Sequence, residues 1–177
     1  KFTLISSDKA VRPTSVMGAS KRVSELILEK FAIDISQNQL DPEYPKTILS
    51  MVRFGNVLNS SGSVIPLFQK QIKKGGPITI THPKITRFFM SISEAVELVL
   101  ISSQLNIKEN GEIFILEMGD SIYIKDLAKK MITLSGANEQ DIEIKITGLR
   151  NGEKLNEELF FKDEVVKKTY VKGILST

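Results

Sequence analysis

The 177-residue sequence contains no cysteine and no tryptophan, and a single histidine, His82. Without cysteine there are no disulfides, no thiolate nucleophile and no thiolate metal ligands. One imidazole cannot build a histidine cluster for a transition metal. No apolar run approaches the roughly 20 residues of a membrane span, and nothing has the build of a signal peptide. Charge of one sign is scarce too. Lys and Arg (24) nearly balance Asp and Glu (21), leaving a net +3. These charges are scattered and interleaved, which reads as a solvated surface and not as a nucleic-acid face. Also missing is Gly-x-Gly-x-x-Gly, the loop that lets a pyrophosphate reach a helix N-terminus. What is present, 41% hydrophobic and 25% charged residues, suits one ordinary globular domain or parts of two.

The informative stretch lies near the start. Phe2-Thr3-Leu4-Ile5-Ser6 is apolar and β-branched and predicts a short buried strand. Ser7-Asp8-Lys9 follows at its carboxyl end. Pro13 then marks a turn, and Thr14 or Ser15 an N-cap for a helix from Val16 to about Phe31. On that helix Val16, Ala19, Val23, Leu26, Ile27 and Phe31 recur at helical spacing and predict a stripe packed on a sheet. Lys21 stands one turn beyond Met17 on the same face. Open α/β sheets hold ligands at the carboxyl ends of their strands.

Residues 34–46 are polar, with Pro42 and Pro45, and read as a loop. The run Thr47-Ile48-Leu49-Ser50-Met51-Val52-Arg53-Phe54 predicts a parallel strand covered on both faces. Strand, helix, strand makes a crossover unit. Further elements are expected as a helix over 64–74 with Pro66 in its first turn, strands over 78–80 and 86–90, and a helix from Ser93 to Leu105. After these come a strand over 112–116, a helix over 125–134 and a strand over 141–146. The tail from 162 onward has weak periodicity. A domain boundary is placed near Asn59.

Taken one at a time these residues are ordinary. A Ser at a strand end forms turns, and an adjacent Asp-Lys pair is commonly a surface ion pair. The combination points to chemistry: a hydroxyl, an acid and a potential base on consecutive residues can divide elimination between them. Arg87, flanked by strand residues, offers a planar, permanently charged guanidinium fork that suits a phosphate.

The spacing of Ser7 and of Met17-x-x-x-Lys21 resembles the active-site segment of the extended short-chain dehydrogenase/reductases, where Tyr-x-x-x-Lys follows a Ser or Thr. Ile5-Ser6-Ser7-Asp8-Lys9-Ala10-Val11 with Val16-Met17-Gly18-Ala19-Ser20-Lys21-Arg22 resembles, more narrowly, the UDP-N-acetylglucosamine 4,6-dehydratases of polysaccharide biosynthesis. Met17 in place of Tyr is similar to their large, membrane-attached branch. The resemblance implies an α/β fold: the C-terminal half of a Rossmann-like parallel sheet with a smaller α/β substrate-binding domain. Residues 1–58 would belong to the NAD-binding domain and carry the active-site segment, and 59–177 would mainly bind the UDP-sugar. With the glycine-rich loop absent, the sequence is expected to be the carboxyl-terminal portion of a longer enzyme.

In that family's reaction a UDP-sugar is oxidised at carbon 4 by NAD or NADP, loses water across carbons 5 and 6, and receives the hydride back at carbon 6. The resemblance implies that Ser7 holds the carbon 4 oxygen, Asp8 protonates the departing hydroxyl and Lys9 takes the carbon 5 proton. Lys21 would hold the nicotinamide ribose. Met17 would belong to that large branch's catalytic Ser-Met-Lys set; with no ionisable proton it cannot serve as the base, and the carbon 4 proton would leave by way of Asp8, Lys9 or water. Asn56 would contact the diphosphate or sugar, and Val64 and Pro66 would lie at a uridine-facing helix start. Arg87 and Arg150 would hold phosphate, with Glu153 orienting Arg150 or touching the ribose. The family's properties further imply a homo-oligomer in the cytoplasm, or at the cytoplasmic face of the inner membrane for a longer protein. They imply no nucleic-acid partner and no metal. A UDP-sugar 4-epimerase shares this fold but keeps the Tyr and lacks the Asp-Lys pair. A non-catalytic domain that binds UDP or a partner protein is the third reading.

Overall fold

The computed structural model describes residues 1–37, 47–60, 62–105 and 110–177. The expected loop over 34–46 therefore lies mostly outside the described residues. In chain order the elements are β1 (Phe2–Ile5), a 3-10 turn (Asp8–Ala10), α1 (Val16–Ser36), β2 (Leu49–Arg53), β3 (Asn56–Val57), α2 (Val64–Lys73), β4 (Ile78–Ile80), β5 (Thr86–Arg87) and β6 (Phe89–Met90). They continue with α3 (Ile92–Gln104), β7 (Glu112–Leu116), β8 (Ile122–Tyr123), α4 (Ile124–Leu134), β9 (Ile144–Ile146), β10 (Lys167–Lys168) and β11 (Ile174–Ser176).

These elements form two compact units that the chain visits alternately. The first comprises Lys1–Gly55, Ser93–Glu117 and Glu158–Thr177; the second comprises Asn56–Ile92 and Met118–Glu157. The expected continuous second domain over 59–177 is thus divided, because two later stretches return to pair with β2 or its neighbour. In the first unit a five-stranded sheet has the order β1-β2-β7-β11-β10. β1, β2 and β7 are parallel, with Phe2 opposite Leu49 and Ser50 opposite Glu112. β11 runs antiparallel to β7, with Ile174 opposite Leu116, and β10 closes a hairpin on it. Every residue of β2 is buried, as its near-continuous apolar run requires.

α1 corrects the sequence reading. Val16, Met17, Val23, Leu26, Ile27 and Phe31 are all exposed, while Gly18, Glu25 and Ala32 are the buried residues of this helix. Gly18, Glu25 and Ala32 are seven residues apart and share one face with Arg22 and Glu29. The inward face is polar because Glu25 is engaged there by buried partners. The helix also runs to Ser36, beyond the expected end.

The second unit packs around Phe68, Ile78, Ile80, Ile85, Ile124, Ala128, Ile132 and Ile142. β4 pairs with β9 in parallel, β3 with β6 in parallel, and β5 with β8 antiparallel. The single strand expected over 86–90 is two short ones broken at Phe88, since its halves take different partners. The strand expected over 141–146 begins only at Ile144.

Candidate active site

In the first unit the polar segment grows directly out of β1. Ser6 N–H donates to Val52 O at 2.8 Å, continuing the ladder one residue past the strand. Ser7 then caps the 3-10 turn with extended backbone, and its Oγ accepts from Lys9 N–H. Asp8 N–H donates to Phe54 O at 3.1 Å, which ties this turn to the end of β2. Ser7 Oγ donates to Asp8 Oδ1 at 2.9 Å, and Lys9 Nζ donates to the same oxygen at 2.9 Å. Asp8 is fully buried, while the Lys9 side chain is 26% exposed. Asp8 Oδ2 is buried and has no hydrogen-bond partner among the described residues. A carboxylate oxygen in that position is costly unless a ligand or a proton occupies it.

α1 approaches this turn closely. Ser15 Oγ accepts from Gly18 N–H at 3.2 Å and caps the helix. A Cβ added at Gly18 would lie 2.4 Å from Lys9 O, so only glycine lets the helix come this near. Lys21 Nζ reaches the end of β1 and donates to Ile5 O at 3.1 Å. Met17 sits one turn earlier, 53% exposed. Ser7, Asp8 and Lys9 are therefore directly bonded, and Lys21 is brought to the same strand end.

Beneath them lies a buried ionic layer that the sequence reading did not single out. Glu25 and Arg53 are both fully buried and meet fork to fork, Nε to Oε1 at 2.8 Å and NH2 to Oε2 at 2.9 Å. Ser6 Oγ donates to Glu25 Oε1 at 2.6 Å, and Arg22 NH1 to Glu25 Oε2 at 2.9 Å. The remaining Arg53 nitrogen donates to both oxygens of Glu164. The Phe161 ring stacks within cation–π range of Arg22 and Arg53. Burial alone would raise the Glu25 pKa, but the hydrogen bonds and charge of Arg53, with those from Ser6 and Arg22, hold it below its ordinary value. Burial likewise works against the Arg53 charge, and Glu25 and Glu164 outweigh it to raise its pKa. The signal in the sequence was an arginine closing an otherwise apolar strand, which needs a buried carboxylate partner.

The remaining expected site residues fall in the second unit. Arg87 is buried, and its guanidinium donates to Thr86 O at 2.7 Å, to Leu155 O at 3.2 Å and to Glu153 Oε1 at 3.5 Å. Glu153 also accepts from Thr81 Oγ1 at 3.0 Å and from the Arg150 backbone N–H at 3.1 Å. One carboxylate thus joins both expected arginine positions. The Arg150 residue is exposed. Asn56 lies in β3, its N–H donating to Phe88 O. Val64 and Pro66 form the first turn of α2; Ser63 is its N-cap residue but makes no capping bond. Among the described residues no group of three or more His, Asp or Glu could hold a metal ion, and no helix is long and apolar enough to cross a membrane.

A mainly parallel sheet with this Ser-Asp-Lys turn at a strand end and a lysine on the crossover helix makes a mixed α/β protein, similar in structure to Rossmann-fold enzymes. The chain belongs to the polysaccharide biosynthesis protein family, whose model matches residues 1–177. It is 51% identical over 165 residues to the capsular polysaccharide biosynthesis protein CapD of Staphylococcus aureus, covering 93% of this chain and 26% of that protein. It is 40% identical over 167 residues to a UDP-glucose 4-epimerase of Rickettsia rickettsii, covering 94% of this chain and 45% of that enzyme. Among solved structures, Pen from Bacillus thuringiensis superposes with a TM-score of 0.83 at 34% identity, over 98% of this chain and 51% of that one. NAD-bound dTDP-glucose 4,6-dehydratases and a UDP-glucuronic acid 4-epimerase share the fold at 15–18% identity and TM-scores of 0.67–0.75. The chain thus spans between a quarter and about half of the relatives it matches.

Proposed function

We propose that this chain carries the catalytic and sugar-nucleotide-binding portions of an NAD(P)-dependent UDP-N-acetylhexosamine 4,6-dehydratase, which makes a UDP-4-keto-6-deoxy sugar for a surface polysaccharide. The observation that carries the proposal is the Asp8 carboxylate: fully buried, loaded on Oδ1 by Ser7 and Lys9, and without a partner on Oδ2 among the described residues. An acid held this way has one oxygen reserved for the substrate.

Bound beside Lys21, NAD or NADP supplies a reversible hydride acceptor for sugar carbon 4. The donor chemistry fits, since the Lys21 ammonium at the end of β1 suits a ribose hydroxyl. Ser7, fixed by Lys9 N–H and Asp8, holds the oxygen on carbon 4. When that carbon is a ketone, the proton on carbon 5 is acidic and the Lys9 amine takes it. Asp8 gives its proton to the carbon 6 hydroxyl, the C6–O bond breaks, and water leaves behind a C5=C6 double bond. Lys9 is then an ammonium and Asp8 a carboxylate, a pair whose hydrogen bond is 2.9 Å in this structure. As carbon 6 receives the hydride, Lys9 returns its proton to carbon 5, and Asp8 is loaded in each cycle by the proton the carbon 4 hydroxyl sheds on oxidation, relayed through Ser7 Oγ at 2.9 Å from Asp8 Oδ1. In the second unit, Arg87 and Arg150 would receive the diphosphate, with Glu153 holding them in register.

The test is to supply UDP-N-acetylglucosamine to the full-length protein and follow the product by mass. Loss of one water with no net reduction of NAD supports the proposal; Asp8→Asn and Lys9→Ala should each lower turnover by roughly 100-fold or more. An isomer of unchanged mass would favour the second reading, a UDP-sugar 4-epimerase, which the R. rickettsii relative supports.

A further inference from the structure

We infer that the buried Glu25–Arg53 pair, with Ser6 and Glu164, is a positioning device that sets the register between the Ser7-Asp8-Lys9 turn and the helix carrying Lys21. The inference rests on the proposed function for its activity readout, though not for its structural one.

The geometry has two rungs. Lys21 Nζ is bonded to Ile5 O, and Glu25, one helical turn later, accepts from Ser6 Oγ. Consecutive turns of α1 thus grip consecutive residues at the end of β1. The lower rung is locked from a third direction, because both Glu25 oxygens are held by the Arg53 fork. Arg53 is followed by Phe54, whose carbonyl accepts from Asp8 N–H. Ser6 and Glu25 therefore stand one residue and one helical turn from proposed catalytic groups, and Arg53 stands one residue from the carbonyl that holds Asp8 N–H.

Glu164 completes the Arg53 fork and is itself held by Phe161 N–H at 2.7 Å. The segment after Glu158 so becomes part of the mounting, with Arg12 and Glu158 paired at the rim. None of these side chains needs to touch a substrate. Packing alone gives no reason for the arrangement, since well-packed hydrophobic residues replace buried ion pairs with little loss of stability. Methyl groups cannot reproduce it, because only directed, bidentate bonds fix rotation as well as distance.

The experiment compares the full-length protein with its Glu25→Leu/Arg53→Met double variant. The variant is expected to keep its unfolding midpoint and its KM for the nucleotide sugar. Its kcat should fall by about 100-fold, and amide exchange at Asp8–Ala10 should quicken by about tenfold or more while β7 stays protected. A variant that keeps both the kcat and the exchange rates of the unsubstituted protein overturns the inference. If the double variant does not fold, Glu164→Gln decides: it leaves the Glu25–Arg53 pair intact and should lower kcat with KM unchanged, and an unchanged kcat overturns the inference. Should the unsubstituted protein turn over no UDP-N-acetylhexosamine, the proposed function fails instead. The exchange comparison at Asp8–Ala10 then judges the positioning role alone.

Discussion

Gly18 shows how much one missing methyl group decides here. Its absent Cβ is the space into which the Lys9 carbonyl projects, at 2.4 Å from where that carbon would stand. The obstacle is backbone, not a side chain that can swing away. Gly18→Ala should therefore push α1 off the turn, costing about 1–3 kcal/mol and lowering kcat by roughly tenfold or more. Urea unfolding and steady-state kinetics on the same preparation would measure both. Arg12 presents the opposite case, a side chain in left-handed backbone at φ 43°, where Asn or Gly sits more easily. The triplet Ser7-Asp8-Lys9 was legible in the sequence because its members are neighbours and their bonding is local. Glu25 and Arg53 were not, being 28 residues apart, and Glu164 is 111 residues from Arg53. No local pattern reports a partner at that distance.

α1 is the element where the usual rule of amphipathic helices misleads. Its apolar residues outline a plausible inward stripe, yet the inward stripe is Gly18, Arg22, Glu25, Glu29 and Ala32. A buried carboxylate with four hydrogen bonds displaced the leucine and isoleucine side chains to the outside. β7 was read to the residue and β2 within two residues at each end, since long apolar runs between polar turns leave little choice. β11 was missed. It has three residues, too few to show alternation, and its pairing with β7 depends on contacts far along the chain. Ile174 is nonetheless almost wholly buried within it. Ile174→Ala should cost about 2–5 kcal/mol, read as a drop in the urea midpoint; a cost near zero would mean that the tail does not belong to the sheet.

Across the whole molecule, the sequence indicated two regions but drew the border as one cut. The observed units exchange the chain four times, at residues 55–56, 92–93, 117–118 and 157–158, and composition stays even through every crossing. Acid stability is a property at this scale. The Glu25 pKa is depressed in the folded protein, so the stability it supplies is complete above the ordinary glutamate pKa and lost as the pH falls through the lower, folded value. The raised Arg53 pKa places that group's loss far on the alkaline side. Urea midpoints measured from neutral pH downward should therefore fall more steeply for the unsubstituted protein than for Glu25→Leu/Arg53→Met.

The crossing pattern also orders events during synthesis. All of the second unit has left the ribosome once Glu157 is out, whereas the larger sheet still waits for Ile174–Ser176 to fill the gap beside β7. The second unit is thus free to finish first in time, while the turn bearing Asp8 stands beside a sheet that residues made after Glu157 complete.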